Sequence, residues 1–176
     1  MKYLFENWRN YLNEGMKTVD DIGKVILQPP KDDDDHGRIL IYDTSPEDEY
    51  GYSRRVGQVY FVLAVEDDIE GSPCWDSQYR IYKINNVSAV HGYGPVLYDL
   101  VMEYAYLTGA DGVGSSPKFG IANFSDAAAA VWEKYHSRTD VFKEYLPACK
   151  TYIFFKKSPD LLKQLKKAVK LVVKRI

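Results

Sequence analysis

The stretch that most constrains this chain runs from Tyr79 to Leu107. Ile81, Ile84, Val87 and Val90, with Arg80, Tyr82 and Ser88 interleaved, predict a long strand over Tyr79 to Val90. His91-Gly92-Tyr93-Gly94-Pro95 then interrupts the strand. Val96, Leu97, Leu100, Val101, Tyr104 and Leu107 follow at helical spacing, which predicts a helix from about Pro95 to Leu107 with those residues as its buried stripe. Gly109 is its stop signal.

Elsewhere the pattern is that of more strands and helices in one domain. Val25 to Gln28 reads as a strand closed by Pro29-Pro30, Arg38 to Tyr42 as a second, and Gln58 to Glu66 as an apolar core strand. Residues 43–55 read as a long loop or short helix, and 67–78 as a turn region containing Cys74 and Trp75. A short strand is expected near Asp111 to Gly114. A helix follows from Ser125, a suitable N-cap, to about His136. Thr151 to Lys157 reads as a late strand. Ser158-Pro159 opens a C-terminal helix, with Ser as N-cap and Pro at its first position.

Composition narrows the class. The 15 tyrosines favour a substantial sheet with a half-wet groove over a helical bundle. A net charge of −2 argues against a chain-wide electrostatic grip on nucleic acid. The longest apolar run, Val59 to Val65, is too short to span a membrane. Two cysteines, Cys74 and Cys149, cannot build a disulfide-dense scaffold or a four-cysteine zinc site, and a reducing cytoplasm is the default compartment. Asp32 to Asp35 reads as a solvated turn, and no metal site is expected.

A Gly-x-Gly between a strand and a helix frees backbone N–H groups beside a helix N-terminus, a geometry that binds phosphate or pyrophosphate. Gly92 and Gly94 supply it, with Val90, His91 and Tyr93 lining the turn. A dinucleotide fold of the Rossmann type needs a third glycine, and Leu97 stands there.

Strands, a long central strand, the Gly-x-Gly turn, a helix, a short strand, a helix and a late strand, over about residues 24–157, resemble the GNAT superfamily of acyl-CoA-dependent N-acetyltransferases. That resemblance implies an α+β fold: a central mixed, mostly antiparallel sheet flanked by helices, with extra N- and C-terminal helices. It implies acetyl-CoA or CoA as cofactor, its pyrophosphate held at Val90, His91, Gly92, Tyr93 and Gly94. The family pattern Gln/Arg-x-x-Gly-x-Gly/Ala is met at the glycines, with Ala89 in place of Gln/Arg. Where the family's later helix carries Asn-x-x-Ala-x-x-x-Tyr, with Tyr as proton donor to the departing thiolate, this chain has Ser125, Ala128 and Trp132. Tyr135, nearly one helical turn on, is the substitute candidate, or else a core tyrosine. The central strand holds no carboxylate. Glu66 and Asp67, at the end of the neighbouring strand, are the candidate bases, each otherwise a surface strand-end residue. Cys149 has no nucleophile pattern around it.

A narrower resemblance, around His91 to Tyr106 and Ser125 to Asp140, is to GNAT-like proteins of tailed bacteriophages. Met1 to Glu14 forms an amphipathic segment, either a helix packed on the domain or a detachable leader, set apart from a single domain over 15–176. It resembles the capsid-targeting leaders of large tailed phages, with Leu12-Asn13-Glu14 matching their cleavage motif. The resemblance implies a protein of the host cytoplasm, packaged in the capsid if Glu14 is the cut site, with host proteins or capsid components as partners. The basic amphipathic helix from about residue 159, with Lys163, Lys166, Lys167, Lys170, Lys174 and Arg175 against an apolar stripe that includes Val172, either packs on the sheet or touches anionic lipid or, weakly, nucleic acid.

The resulting expectation is transfer of an acyl group to an amine whose class stays open. The alternative is a catalytically degenerate GNAT-fold interaction protein, which Ala89, Ser125 and Trp132 favour.

Overall fold

A computed structural model describes residues 17–31, 36–46, 53–64, 79–115, 126–147, 151–168 and 172–173. The leader over 1–14, the acidic run Asp32 to Asp35, Glu66, Asp67, Cys74, Ser125 and Cys149 lie outside these residues. The architecture is α+β. After a 3₁₀ turn at Val19–Asp21 come β1 (Ile22–Gln28), β2 (Gly37–Asp43), β3 (Arg55–Leu63) and β4 (Ile81–Ala89). Helix α1 (Gly94–Thr108), β5 (Gly112–Ser115), α2 (Asp126–Tyr135), β6 (Phe142–Leu146), β7 (Thr151–Phe155), α3 (Asp160–Ala168) and β8 (Val172–Val173) complete the order.

The strands form one sheet in the order β6-β7-β5-β4-β3-β2-β1-β8. β1 to β4 make an antiparallel meander, β4 and β5 pair in parallel around α1, and β7 enters between β5 and β6. Parallel neighbours need a crossover, and α1 is that crossover.

Register decides the faces. Ile39 and Ile41 on β2, Val59 and Phe61 on β3, and Tyr82 and Ile84 on β4 are buried on the side covered by α1, whose Leu97, Leu100 and Val101 are fully buried against them. Phe61, Tyr82 and Tyr104 form an aromatic triangle with ring centroids 5.2–5.4 Å apart. Gly37 lies beneath it: a Cβ there would stand 2.4 Å from the Phe61 ring, so a side chain at this position has to displace that buried ring. Tyr98, Trp132, Tyr135 and Phe154 form a second aromatic layer between α1, α2 and β7.

Helix α1 ends as its glycine predicts, with Gly109 left-handed at φ 70° and its N–H returned to carbonyls of the last turn. Leu107, however, is 52 % exposed, so the buried stripe ends at Tyr104 and Ala105. Strand β6 has no forerunner in the sequence reading; four of its five residues are exposed, so no apolar alternation marks it. The C-terminal helix also stops earlier than its periodicity suggests. α3 ends at Ala168, and Val172-Val173 pair in parallel with Ile26 and Leu27 of β1.

A buried charge organises the far end of α1. Glu103 has no exposed surface, and its carboxylate accepts the N–H groups of Leu161 at 2.8 Å and Leu162 at 2.7 Å. It therefore caps α3 from a neighbouring helix, meeting the first-turn donors that α3 cannot pair internally. Burial pushes its pKa up, against the opposing pull of those two N–H groups and of Lys156.

Candidate functional site

β4 and β5 stay in register from Ile81↔Gly112 to Ile84↔Ser115, while β4 runs on to Ala89. Among the described residues the β5-facing edge of β4 beyond Ile84 has no strand partner. The burial pattern changes at the same point. Ile81 to Ile84 are buried, whereas Asn85, Asn86, Ser88 and Ala89 are exposed. Among the described residues this leaves a crease whose wall is a strand edge, about 17 Å long over five residues.

A bulge marks the start of the crease. Tyr60 pairs with Asn86 and Phe61 with Ile84, so Asn85 is the extra residue on β4. Bulges redirect side chains. Asn85 Nδ2 lies 2.9 Å from His36 Nε2, at the head of β2.

The other end of the crease is the glycine turn. Val90 donates its N–H to the Val56 carbonyl at 2.8 Å, which pins the turn to β3, and its own carbonyl accepts the Tyr93 N–H at 3.1 Å. Gly92 takes φ 87°, a left-handed conformation that makes it the glycine this turn requires. Tyr93 is the N-cap of α1 and gives no side-chain cap, and Pro95 sits in the first turn. The helix thus opens with N–H groups beyond its own reach. A Cβ on Gly94 would meet nothing within 4 Å, so approach to this end is open. Tyr93 is buried, its hydroxyl donating to the Asp21 carbonyl at 3.3 Å, and the Lys17 N–H meets the Gly92 carbonyl at 3.2 Å. Val90 and His91 are exposed beside the turn.

The candidate residues divide between places. Val90 to Gly94 come together as one turn. Glu66 and Asp67 are outside the described residues, but the chain leaves β3 with the Ala64 N–H on the Ile81 carbonyl at 2.8 Å. That is the end of β4 remote from the glycines. Tyr135 sits behind the turn: it is 1 % exposed, and its hydroxyl lies 2.9 Å from Asp99 Oδ1 and 3.0 Å from the Pro95 carbonyl. Burial, and then Asp99, push its pKa well above the ordinary phenol value. Its proton is held in the packing layer between α1 and α2, beside the first turn of α1 and away from the bulge. Trp132 is buried beside it, edge-on to Tyr98.

Asp99 is itself clamped by Arg138, whose guanidinium reaches its two oxygens at 2.8 and 3.0 Å and also binds Asp140. Lys156 stands 3.4–3.5 Å from Asp99, Glu103 and Asp140. This network ties α1, the segment after α2 and β7 into the rigid support behind the turn.

His36, Asn85 and Arg38 did not emerge from sequence reasoning. The one available signal was Asn85-Asn86 itself, two poor strand formers inside a strand pattern. Among the described residues no group of three His, Cys, Asp or Glu side chains is placed to hold a metal ion, and no helix is long and apolar enough to cross a membrane. No protein-family model, curated protein or solved structure matches this chain.

Proposed function

We propose that this chain is a GNAT-type acyltransferase that passes an acyl group from acyl-CoA to an amine. The observation that carries the reading is the crease: the described pairing of β4 with β5 ends at Ile84, and the edge of β4 that has no partner among the described residues leads to the glycine turn at the start of α1. An extended amide-bearing arm can pair with a strand edge as another strand would. The helix N-terminus and the turn's N–H groups then meet a pyrophosphate. The residues present fit such a ligand, since Gly94 leaves its approach unobstructed and Gly92 supplies the turn's geometry.

Bound acyl-CoA supplies an acyl group activated as a thioester. The chain's own part is orientation and proton movement. Gly92, Tyr93 and Gly94, with Val90 and His91 flanking, hold the phosphate end; the β4 edge aligns the arm toward the bulge at Asn85. An incoming ammonium must lose a proton before it attacks, and Glu66 or Asp67, which come after β3 in sequence, are assigned that role. Tyr135 is left out of the proton path because its hydroxyl is engaged by Asp99 and Pro95. The competing reading, a fold retained for interaction with the transfer chemistry lost, draws on the same engagement and on Ala89 and Trp132.

Calorimetric titration with acetyl-CoA and with CoA separates the two. Micromolar binding, abolished in Gly94→Trp, supports the cofactor site; no binding below the millimolar range removes it. Binding without turnover across an amine panel selects the degenerate form.

A further inference from the structure

Away from α1, the other face of the meander carries a different surface. Arg38 on β2, Gln58 and Tyr60 on β3, and Asn86 and Ser88 on β4 alternate with the core residues and so project together on that face. Register aligns Arg38 with Tyr60 and Tyr60 with Asn86, in one row that ends at the crease.

Arg38 is the unusual member. Its guanidinium lies over the Tyr60 ring, 5.0 Å from the centroid, and Nη2 donates to Gln58 Oε1 at 2.8 Å. Its Nε is buried and has no hydrogen-bond partner. Among the described residues no carboxylate pairs with this arginine, and the other charged side chains on this face of β1 to β4, Lys24, Arg55 and Lys83, are cations. A buried polar atom left without an acceptor calls for an explanation. A guanidinium held over a ring, with one neutral partner and a buried Nε–H unmatched, suits a small oxyanion.

We propose that Arg38 anchors an oxyanion, carboxylate or phosphate, carried by the amine acceptor. The role as acceptor site rests on the acyl-transfer reading above; the anion site itself rests on Arg38 and its row. Two strand spacings separate Arg38 from Asn86, about 10 Å. An anion held at the arginine therefore leaves the amine of the same molecule free to reach toward the crease. The acceptor class is thereby narrowed to amines bearing an acidic group, to the disfavour of polycations such as polyamines.

The test follows the Nε–Hε resonance of Arg38 by NMR in the full chain, assigned through its loss in Arg38→Lys. The probes are sodium phosphate and sodium acetate, titrated separately at constant ionic strength against sodium chloride. A saturable downfield shift of this resonance, at concentrations about ten-fold below those that move the exposed Arg55, supports the site, and the stronger of the two probes identifies the anion. A shift no different from that of Arg55 with both probes overturns it. Failure of acetyl-CoA to bind in the calorimetric experiment strikes the acyl-transfer reading alone, because the arginine resonance is read in the absence of any CoA.

Discussion

Ile84 of β4 and Ser115 of β5 form the last pair of the parallel ladder, and five more residues of β4 follow without a partner on that side among the described residues. Sheets rarely leave a central strand edge open, since unpaired N–H and C=O groups there invite another chain. Here the edge left unpaired among the described residues lies in the middle of the sheet and ends at a helix N-terminus, the place the proposed ligand occupies.

The packing beneath that edge gives a prediction by steric coupling. Phe61 is fully buried, and Phe61→Ala should cost about 3–5 kcal/mol in urea unfolding. Gly37→Ala drives a methyl into the same ring and should cost about 1–3 kcal/mol. Combined with Phe61→Leu, Gly37→Ala should become markedly cheaper, a coupling that a double-mutant cycle reads directly. Strict additivity would show that the ring and the glycine do not share the space described.

Glu103 offers a second test, of opposite character. Glu103→Ala deprives the Leu161 and Leu162 N–H groups of their acceptor and should cost about 2–4 kcal/mol. The pH dependence has a definite sign. Because the folded state raises this pKa, the contribution is fully present below the unfolded carboxylate value and declines as pH rises through the folded one. Glu103→Gln lacks that decline, so the stability difference from wild type should change across the pH range just above 4.5. A difference flat in pH there would contradict the raised pKa.

Asp140 behaves in the reverse sense. Hydrogen bonding to Arg138 lowers its pKa to about 2. Its stabilisation is therefore present above the unfolded value of 3.8 and disappears as pH falls toward 2. Asp140→Asn should flatten the acid limb of a thermal-unfolding profile in that window and leave the limb above pH 5 parallel to wild type. Since the side chain is 55 % exposed, the effect should shrink in high salt.

Much of this frame was legible before any coordinates. The apolar runs Ile39-Leu40-Ile41 and Ile81 to Ile84 mark core strands, and Gly92 and Gly109 bracket α1 because each takes a left-handed backbone conformation. What escaped was whatever depends on a neighbour. Strand β6 holds its place through pairs such as Phe142 stacked on Phe155 and Tyr145 against Tyr152, not through its own pattern. Glu103 reads as a surface charge until α3 is docked on it. The row from Arg38 to Asn86 exists only because three strands share a register and a bulge shifts one of them. Tyr135 was marked by spacing, and its contacts with Asp99 and the Pro95 carbonyl become visible only in the fold.

The central claim is that the β4 edge and the glycine turn form one ligand track, and backbone amide mapping tests it most directly. Titrating acetyl-CoA into ¹⁵N-labelled protein should shift the amides of Asn85 to Ala89 together with those of Gly92 and Gly94, while the amides of β1 stay in place. Saturation without movement of the Asn85 to Ala89 amides, or shifts confined to residues outside both segments, would contradict it.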